Sequence, residues 1–435
     1  MIELDVAIVG GGFSGCAVAA NLARRAGSEL AVAVFDPGEL GRGAAYGTRH
    51  REHLLNTRAQ LMSLYVDDPD HFVRWLGLRG GPLDFMPRQL YGEYVAEIAR
   101  QTFARPRFTH VRDRVRRVYA SDDGGFIIDA SLGARFGARA VVLATGNPAP
   151  RDDFLPVAVR RHPGFISDPW RFDYRVVGGH VLVIGTGLTA LDVLVALRAS
   201  GHRGTVHMLS RNRRFPTVHA NVAPYDVIPA LDTHGARALL RSFRRHLDEA
   251  SRRGFDWRAV VDALRPEAEV IWRRISPVEQ RRFERHLRSL WERHRHRAPA
   301  SVDRVRQAYA RDGKLFTYSG RLAEAHAGTV TIVARNGAIV ELHPDWIVNC
   351  SGVGPEPALL GFRATSDLTA LDANGDPVRG MWIVGPPVRK ARFEATAVSE
   401  LRGMADTAAS EVLRALRLRT STPSLTPSLN ALHFY

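Results

Sequence analysis

Short runs of apolar residues, each closed by glycine or proline, set the pattern of the chain. Leu4-Asp5-Val6-Ala7-Ile8-Val9 reads as a buried strand, an Ala-rich helix follows, and Leu30 to Phe35 reads as a second strand. The same order returns at Val181-Leu182-Val183-Ile184, with a helix to about Ser200 and a strand from Val206 to Leu209. Between these repeats Asp68-Pro69 starts a short helix with Phe72, Trp75 and Leu76 on one face, and Arg88 opens an amphipathic helix running to about Arg100. From 107 to 145 the spacing predicts strands, through Val111, Val115 and Val118, the turn Asp122-Asp123-Gly124-Gly125, Phe126-Ile127-Ile128 and Ala140-Val141-Val142-Leu143. Pro148, Pro150 and Pro156 mark a linker. Residues 222–310 are charge-rich and predicted helical, with Leu239, Leu240, Phe243 and Leu247 at helical spacing. Strands resume at 315–343 and continue in Trp346-Ile347-Val348-Asn349 and Met381-Trp382-Ile383-Val384, and a last helix is predicted from near Ala395. Beyond it the chain turns Ser/Thr/Pro-rich, and 420–435 is predicted to be a flexible tail.

The candidate chemistry sits in the turns. Gly10-Gly11-Gly12-Phe13-Ser14-Gly15 is G-x-G-x-x-G between a strand and a helix, the pattern of a dinucleotide-binding unit. Gly10 permits the tight turn, Gly12 lets the backbone approach a pyrophosphate, and Gly15 lets the helix lie close on the strand. The helix start offers free N–H groups and a partial charge of roughly +0.5 to phosphates. Asp36 follows Gly15 by 21 residues, where a carboxylate takes ribose hydroxyls. The second turn, Gly185-Thr186-Gly187-Leu188-Thr189-Ala190, is G-x-G-x-x-A, and its next strand ends in Ser210-Arg211-Asn212-Arg213-Arg214. A serine and arginines in place of the acid suit the 2′-phosphate of NADP, the alternative being a solvated arginine cluster. The glycine-dense loop Gly41 to Gly47, with Tyr46, and the segment His53-Leu54-Leu55-Asn56 are expected to line a cofactor, or else the loop is an ordinary surface one. The predicted fold class is therefore α/β, with two dinucleotide-binding Rossmann-type domains and a helical insertion.

Composition narrows the picture. At 435 residues the chain predicts two or three domains, and its 45% apolar content is that of a globular protein. No apolar run has the length to span a bilayer, and the first strand begins at once with no signal-peptide pattern, so a cytoplasmic protein without a membrane partner is expected. The net charge of +15 is almost all arginine, Lys314 and Lys390 being the two lysines. It is spread along the chain without a recognition module, so nucleic acid is not an expected partner. His294-Arg295-His296-Arg297 puts its histidines on different helix faces, and no metal site is expected. Cys16 and Cys350 read as small apolar filler, and no C-x-x-C occurs.

Two such turns, with strands closing in Ala144-Thr145-Gly146 and Cys350-Ser351-Gly352, resemble the two-dinucleotide-binding flavoproteins. Gly41-Arg42-Gly43-Ala44-Ala45-Tyr46-Gly47, His53-Leu54-Leu55-Asn56, Asp68-Pro69, Gly185-Thr186-Gly187-Leu188-Thr189 and the block Glu394 to Arg402 look, more narrowly, like the bacterial YdhS-like FAD/NAD(P)-binding family. The resemblance covers about residues 4–415. It implies FAD on Gly10, Gly12, Gly15 and Asp36 in a discontinuous domain, 1–160 with 340–419, and NADPH on Gly185, Gly187 and Arg211 in 165–340. It also implies that the last helix, with Glu394, Thr396 and Ala397 at its start, meets the flavin.

Relatives of that family are similar to flavin monooxygenases, including amino-acid N-hydroxylases. The implied activity is NADPH- and O2-dependent hydroxylation of a small polar, anionic substrate; the alternatives are a flavin oxidoreductase that inserts no oxygen and a non-catalytic flavin-binding protein. Candidates for site polarity are Asn56, Arg88, Tyr91 and Arg392, with Arg389 and Glu394 beside them. A disulfide reductase of this class would need a redox dithiol, which the missing C-x-x-C argues against. The linker His162-Pro163-Gly164-Phe165-Ile166-Ser167-Asp168-Pro169-Trp170 departs in order and spacing from the Baeyer–Villiger signature, which puts that chemistry in doubt.

Overall fold

Strands buried on both faces of a parallel sheet need continuous apolar sequence, and the runs above are used in that way. The computed structural model describes residues 2–27, 29–326, 328–354 and 360–416. The predicted tail, 420–435, lies outside the described residues. The chain divides into two compact units, one of Met1–Arg51, Thr57–Pro148 and 360–416, the other of Glu52–Asn56 and Ala149–Gly354.

The first unit runs β1 (Ile2–Val9), α1 (Phe13–Ala26), β2 (Val32–Phe35), α2 (Gly43–Tyr46), α3 (His71–Leu76), α4 (Arg88–Phe103), β3 (Phe108–Val111), β4 (Val115–Ala120), β5 (Phe126–Ala130) and β6 (Arg135–Leu143). It is completed by β14 (Arg363–Ala364), β15 (Thr369–Leu371), β16 (Pro377–Ile383) and α13 (Val398–Ala415). The sheet order is β14-β15-β16-β6-β1-β2-β3, parallel from β16 to β3, with β5 antiparallel to β6 and β4 antiparallel to β5. Val6, Ile8, Val32 and Val34 of its centre are wholly buried, each such side chain contributing about 1.5–3 kcal/mol. Helix α1 packs against both α4 and α13.

The second unit holds α5 (Val157–Arg160), β7 (Phe165–Ile166), β8 (Val181–Ile184), α6 (Leu188–Ala199) and β9 (Val206–Ser210). A helical segment follows, α7 (Ala236–Arg252), α8 (Trp257–Leu264), α9 (Ala268–Arg274), α10 (Pro277–His286), α11 (Arg288–Arg295) and α12 (Ala300–Arg311). β10 (Leu315–His326), β11 (Thr329–Ala334), β12 (Ile339–Leu342) and β13 (Trp346–Asn349) close it. The sheet order is β12-β11-β10-β9-β8-β13-β7, so β13-β8-β9-β10 repeats the parallel order β6-β1-β2-β3. Val181, Val183 and Met208 pack under α6 and α12 on one face, and Leu182, Ile184 and Leu209 pack with Val330 and Ile332 on the other.

Two expected boundaries move. The stretch from 222 to Gly235 is not helical; Pro224 and Pro229 lack the N–H a helix needs, and helix begins at Ala236. The last helix begins at Val398 rather than near Ala395, because the Glu400 carboxylate accepts the Ala397 N–H at 2.7 Å and fixes the cap there.

Candidate cofactor-binding site

In the first unit the turn after β1 leaves no room for side chains where the protein meets itself. Gly10 has φ +106°, and a Cβ there would stand 2.3 Å from the Ala144 carbonyl oxygen. At Gly15 a Cβ would stand 1.9 Å from the Gly10 oxygen. Gly12 differs, since its nearest neighbour would be the Gly43 Cα at 3.6 Å, an ordinary contact. The packing of the chain itself thus accounts for Gly10 and Gly15, whereas Gly12 keeps open space beside the start of α1. That helix has no side-chain cap and no acid in its first turn, so its N–H groups are unclaimed by side chains. The Asp36 carboxylate is fixed at the same turn, accepting the Gly11 N–H at 2.7 Å and the Gly38 N–H at 2.8 Å. Behind it the Cys16 thiol donates to the Gly11 oxygen, and burial pushes its pKa up to about 12.

Beside the turn lies a nest of aromatic rings. Phe13 stacks on Tyr91 at 6.2 Å, and Tyr46 and Phe72 meet Tyr91 edge-on at 4.7 and 5.0 Å. Tyr91 is wholly buried, and its hydroxyl has no hydrogen-bond partner among the described residues. Arg402 Nη1, one turn into α13, is likewise buried without a partner. Burial pushes the Tyr91 phenol far above its ordinary pKa against the pull of Arg402, so Tyr91 is a neutral donor. Burial also lowers the pKa of Arg402. Tyr46 is pushed up to about 12 by burial, against the nearby Arg88 charge. Orphaned buried polar atoms of this kind call for a bound partner. Sequence reasoning passed over Arg402, which carries no motif beyond standing at the end of the Glu394–Arg402 block.

The remaining candidates are placed as follows. Ser14 is buried, and Gly385, after β16, lies so close that a Cβ there would be 2.8 Å from Ser14 Oγ. Ala144 is buried, Thr145 exposed, and Gly146 has φ +75°. Glu394 is buried, with Thr396 and Ala397 half-buried before α13. Arg392 donates from Nε to the Ser366 oxygen at 2.7 Å. The loop 41–47 is pressed on α4, where a Cβ at Gly41 would be 2.5 Å from the Ala96 nitrogen, so packing explains part of its glycine density. Arg88 and Tyr91 share α4, whereas Asn56 belongs to the second unit, its carbonyl bonded to the His219 ring at 3.0 Å.

The second unit repeats the turn. Gly185 has φ +129°, and a Cβ would again stand 2.3 Å from a strand-end carbonyl, here that of Cys350. Gly187 is exposed with open space around it, and α6, from Leu188 and Thr189 on, has neither side-chain cap nor early acid. Thr186 Oγ1 lies 3.0 Å from Ser210 Oγ and donates to the Arg214 oxygen at 2.8 Å. Ser210 Oγ accepts the Arg213 N–H at 3.0 Å, and Ser319 Oγ donates to the Arg211 oxygen at 2.9 Å. The backbone of the arginine loop is therefore tied down. Arg211, Arg213 and Arg214 are exposed, and no ion pair among the described residues engages them. Gly352, exposed, has φ +104°, as the counterpart of Gly146. Among the described residues no cluster of metal-ligating side chains occurs, and no helix is long and apolar enough to cross a membrane.

Residues 7–148 match a family model described as FAD-NAD(P)-binding. No curated protein matches the sequence. Among solved structures, L-lysine 6-monooxygenase from Pseudomonas syringae aligns with a TM-score of 0.62 at 18% identity, over 95% of this chain and 100% of that one. Reduced ornithine hydroxylase from Pseudomonas aeruginosa aligns with 0.62 at 16% identity over 95% and 100%. Bacillithiol disulfide reductase from Staphylococcus aureus aligns with 0.57 at 14% identity over 95% and 99%. At such identities the likeness concerns the fold, which is that of the two-dinucleotide-binding flavoproteins. The family match makes residues 7–148 an FAD-NAD(P)-binding domain, and the second unit repeats its glycine turn.

Proposed function

We propose that this flavoprotein is an NADPH-using monooxygenase that hydroxylates a small, polar, anionic substrate, with N-hydroxylation of an amino acid favoured, and that it stands close to the YdhS-like group. Its structural neighbours include both amino-acid hydroxylases and disulfide reductases, and the observation that carries the choice is the state of its thiols. The chain has two cysteines, one in each unit, both buried and both with pKa values raised by burial. A thiol held protonated and away from solvent neither attacks nor accepts a disulfide.

The residues present fit both cofactors. Gly10, Gly12, Gly15 and the α1 N-terminus would hold the FAD pyrophosphate, with the Asp36 carboxylate on the ribose; Gly185, Gly187 and Arg211 would hold NADPH. Bound flavin supplies the electron and oxygen chemistry that the side chains lack. What the chain itself supplies is positioning and exclusion of water. The ring nest of Phe13, Tyr46, Phe72 and Tyr91 is buried, and a neutral Tyr91 hydroxyl in it is a donor whose strength rises in low dielectric. Arg88 and Arg392 are the guanidiniums put forward for a substrate carboxylate, through charge-assisted hydrogen bonds.

The test is to purify the yellow protein and follow NADPH oxidation with a panel of amino acids that includes ornithine and lysine. The expected result is substrate-stimulated NADPH use matched by hydroxylated product. Steady turnover with a quinone and no oxygenated product would replace this reading by a plain NADPH-dependent oxidoreductase. A bound flavin that NADPH cannot reduce would leave a binding protein only.

A further inference from the structure

The two units solve one problem in two ways. In each, the second residue of the glycine turn is bonded to the residue just past the last pair between the first and second strands, Phe35 or Leu209 being the last paired, the position that meets the adenosine ribose in a dinucleotide fold. In the first unit the bond runs from the Gly11 N–H to the Asp36 carboxylate at 2.7 Å. A side chain is barred there, since a Cβ on Gly11 would come within 2.9 Å of the Asp36 Cβ and 2.3 Å of Leu40. In the second unit the strand ends in Ser210, no carboxylate is present, and a side chain stands where the first unit has none. Thr186 Oγ1 reaches Ser210 Oγ at 3.0 Å and the Arg214 oxygen at 2.8 Å. Thr186 is buried, so the two contacts fix a hydroxyl shielded from water.

We infer that the Thr186–Ser210 clip is the specificity device of the second unit, a positioning pair that removes the negative charge a 2′-phosphate would meet and locks the Ser210–Arg214 loop so that its guanidiniums face such a phosphate. The inference rests on the reading of this unit as an NADPH site and adds the residues that set the choice. Arg213 shows what the clip holds in place. Its φ is +50°, a conformation costly for a residue with a side chain, and it is stabilised by its own N–H donating to Ser210 Oγ. Without the clip the loop loses two of the ties that fix it, and unpaired arginines on a loose loop pay ordering entropy at each binding event.

The experiment is isothermal titration of flavin-loaded protein with NADP+ and, separately, NAD+, for the wild type, Thr186→Val, Thr186→Ser, Arg211→Ala and the double variant Thr186→Gly/Ser210→Asp, with melting temperatures alongside. Thr186→Val is expected to weaken NADP+ about tenfold, as loss of one to two hydrogen bonds implies, and to leave NAD+ within about twofold. Thr186→Ser is expected to restore the wild-type ratio, and the double variant, which copies the first unit, to prefer NAD+. Equal losses for both nucleotides, or no loss at all, in Thr186→Val overturn the clip. A wild type that prefers NADP+ and loses the preference in Arg211→Ala keeps the NADPH site even then, whereas a wild type with no preference overturns the site itself.

Discussion

At the scale of single residues the first turn separates two reasons for glycine, and the distances tell them apart. Gly15→Ala would add a methyl 1.9 Å from the Gly10 carbonyl oxygen, a backbone atom that cannot turn aside. Alanine brings a helix-propensity gain of about 1 kcal/mol, but the overlap outweighs it, and net destabilisation on the order of 1–3 kcal/mol is expected. Gly12→Ala meets only an ordinary contact at 3.6 Å and has φ −75°, so no overlap arises, and the poorer N-cap should cost no more than about 1 kcal/mol. Its effect should fall on FAD instead, as a lower ratio of flavin to protein absorbance after purification. Urea unfolding of apoprotein and the flavin ratio of both variants check the pair. If Gly12→Ala keeps its flavin while Gly15→Ala keeps its stability, the division of roles drawn from these distances is wrong.

At the scale of elements the helix N-termini are where stability and binding pull apart. α6 is preceded by its N-cap Gly187, whose φ of −79° any residue adopts and around which a Cβ meets nothing within 4 Å. An aspartate there is a good N-cap, worth a few tenths of a kcal/mol over glycine, and its charge is favourable to the helix dipole. Gly187→Asp is therefore expected to melt at the same temperature or slightly higher while losing NADP+ binding by calorimetry, because the carboxylate occupies the place of a phosphate. Retained NADP+ affinity would falsify the anion site at α6. Such helix starts were legible in the sequence, as were the strands that lead to them, because a buried parallel strand writes itself as an unbroken apolar run and its turn as spaced glycines. Contacts that join residues far apart were not. Nothing local marks Thr186 as a partner of Ser210, Arg402 as a neighbour of Tyr91, or Gly41 as the point where a loop presses on α4. The start of α13 at Val398 depended on one capping carboxylate, Glu400, which periodicity alone does not weigh.

At the scale of the whole molecule, each unit builds its turn on the same contact, a strand-end carbonyl 2.3 Å from where a Cβ of Gly10 or Gly185 would be. That contact is uncharged, which makes the response to pH a matter of the titratable groups around it. Five histidines spread over both units have pKa values lowered from the usual 6.5, namely His71, His202, His207, His294 and His296. Burial is the first cause in every case, and at His296 burial and the Arg295 charge outweigh the Glu292 carboxylate bonded to it at 2.7 Å. The sign follows from proton counting. Below the unfolded value the unfolded chain takes up protons that the folded chain refuses, so the unfolded state gains and stability falls as the pH drops. The contribution is fully present above about pH 6.5 and is lost progressively below it, toward the lowered folded values. Half-buried carboxylates with pKa lowered by the hydrogen bonds they accept, such as Glu279 and Asp232, act in the same direction further down. Melting temperature should accordingly be flat from pH 8 to 7 and decline between about pH 6.5 and 5. Single variants His202→Gln and His207→Gln should each shallow that decline by a part of the whole, since no one histidine carries it. A melting temperature that rises on acidification through this window would mean that these histidines are protonated in the folded protein, contrary to the lowering that burial imposes on each of them.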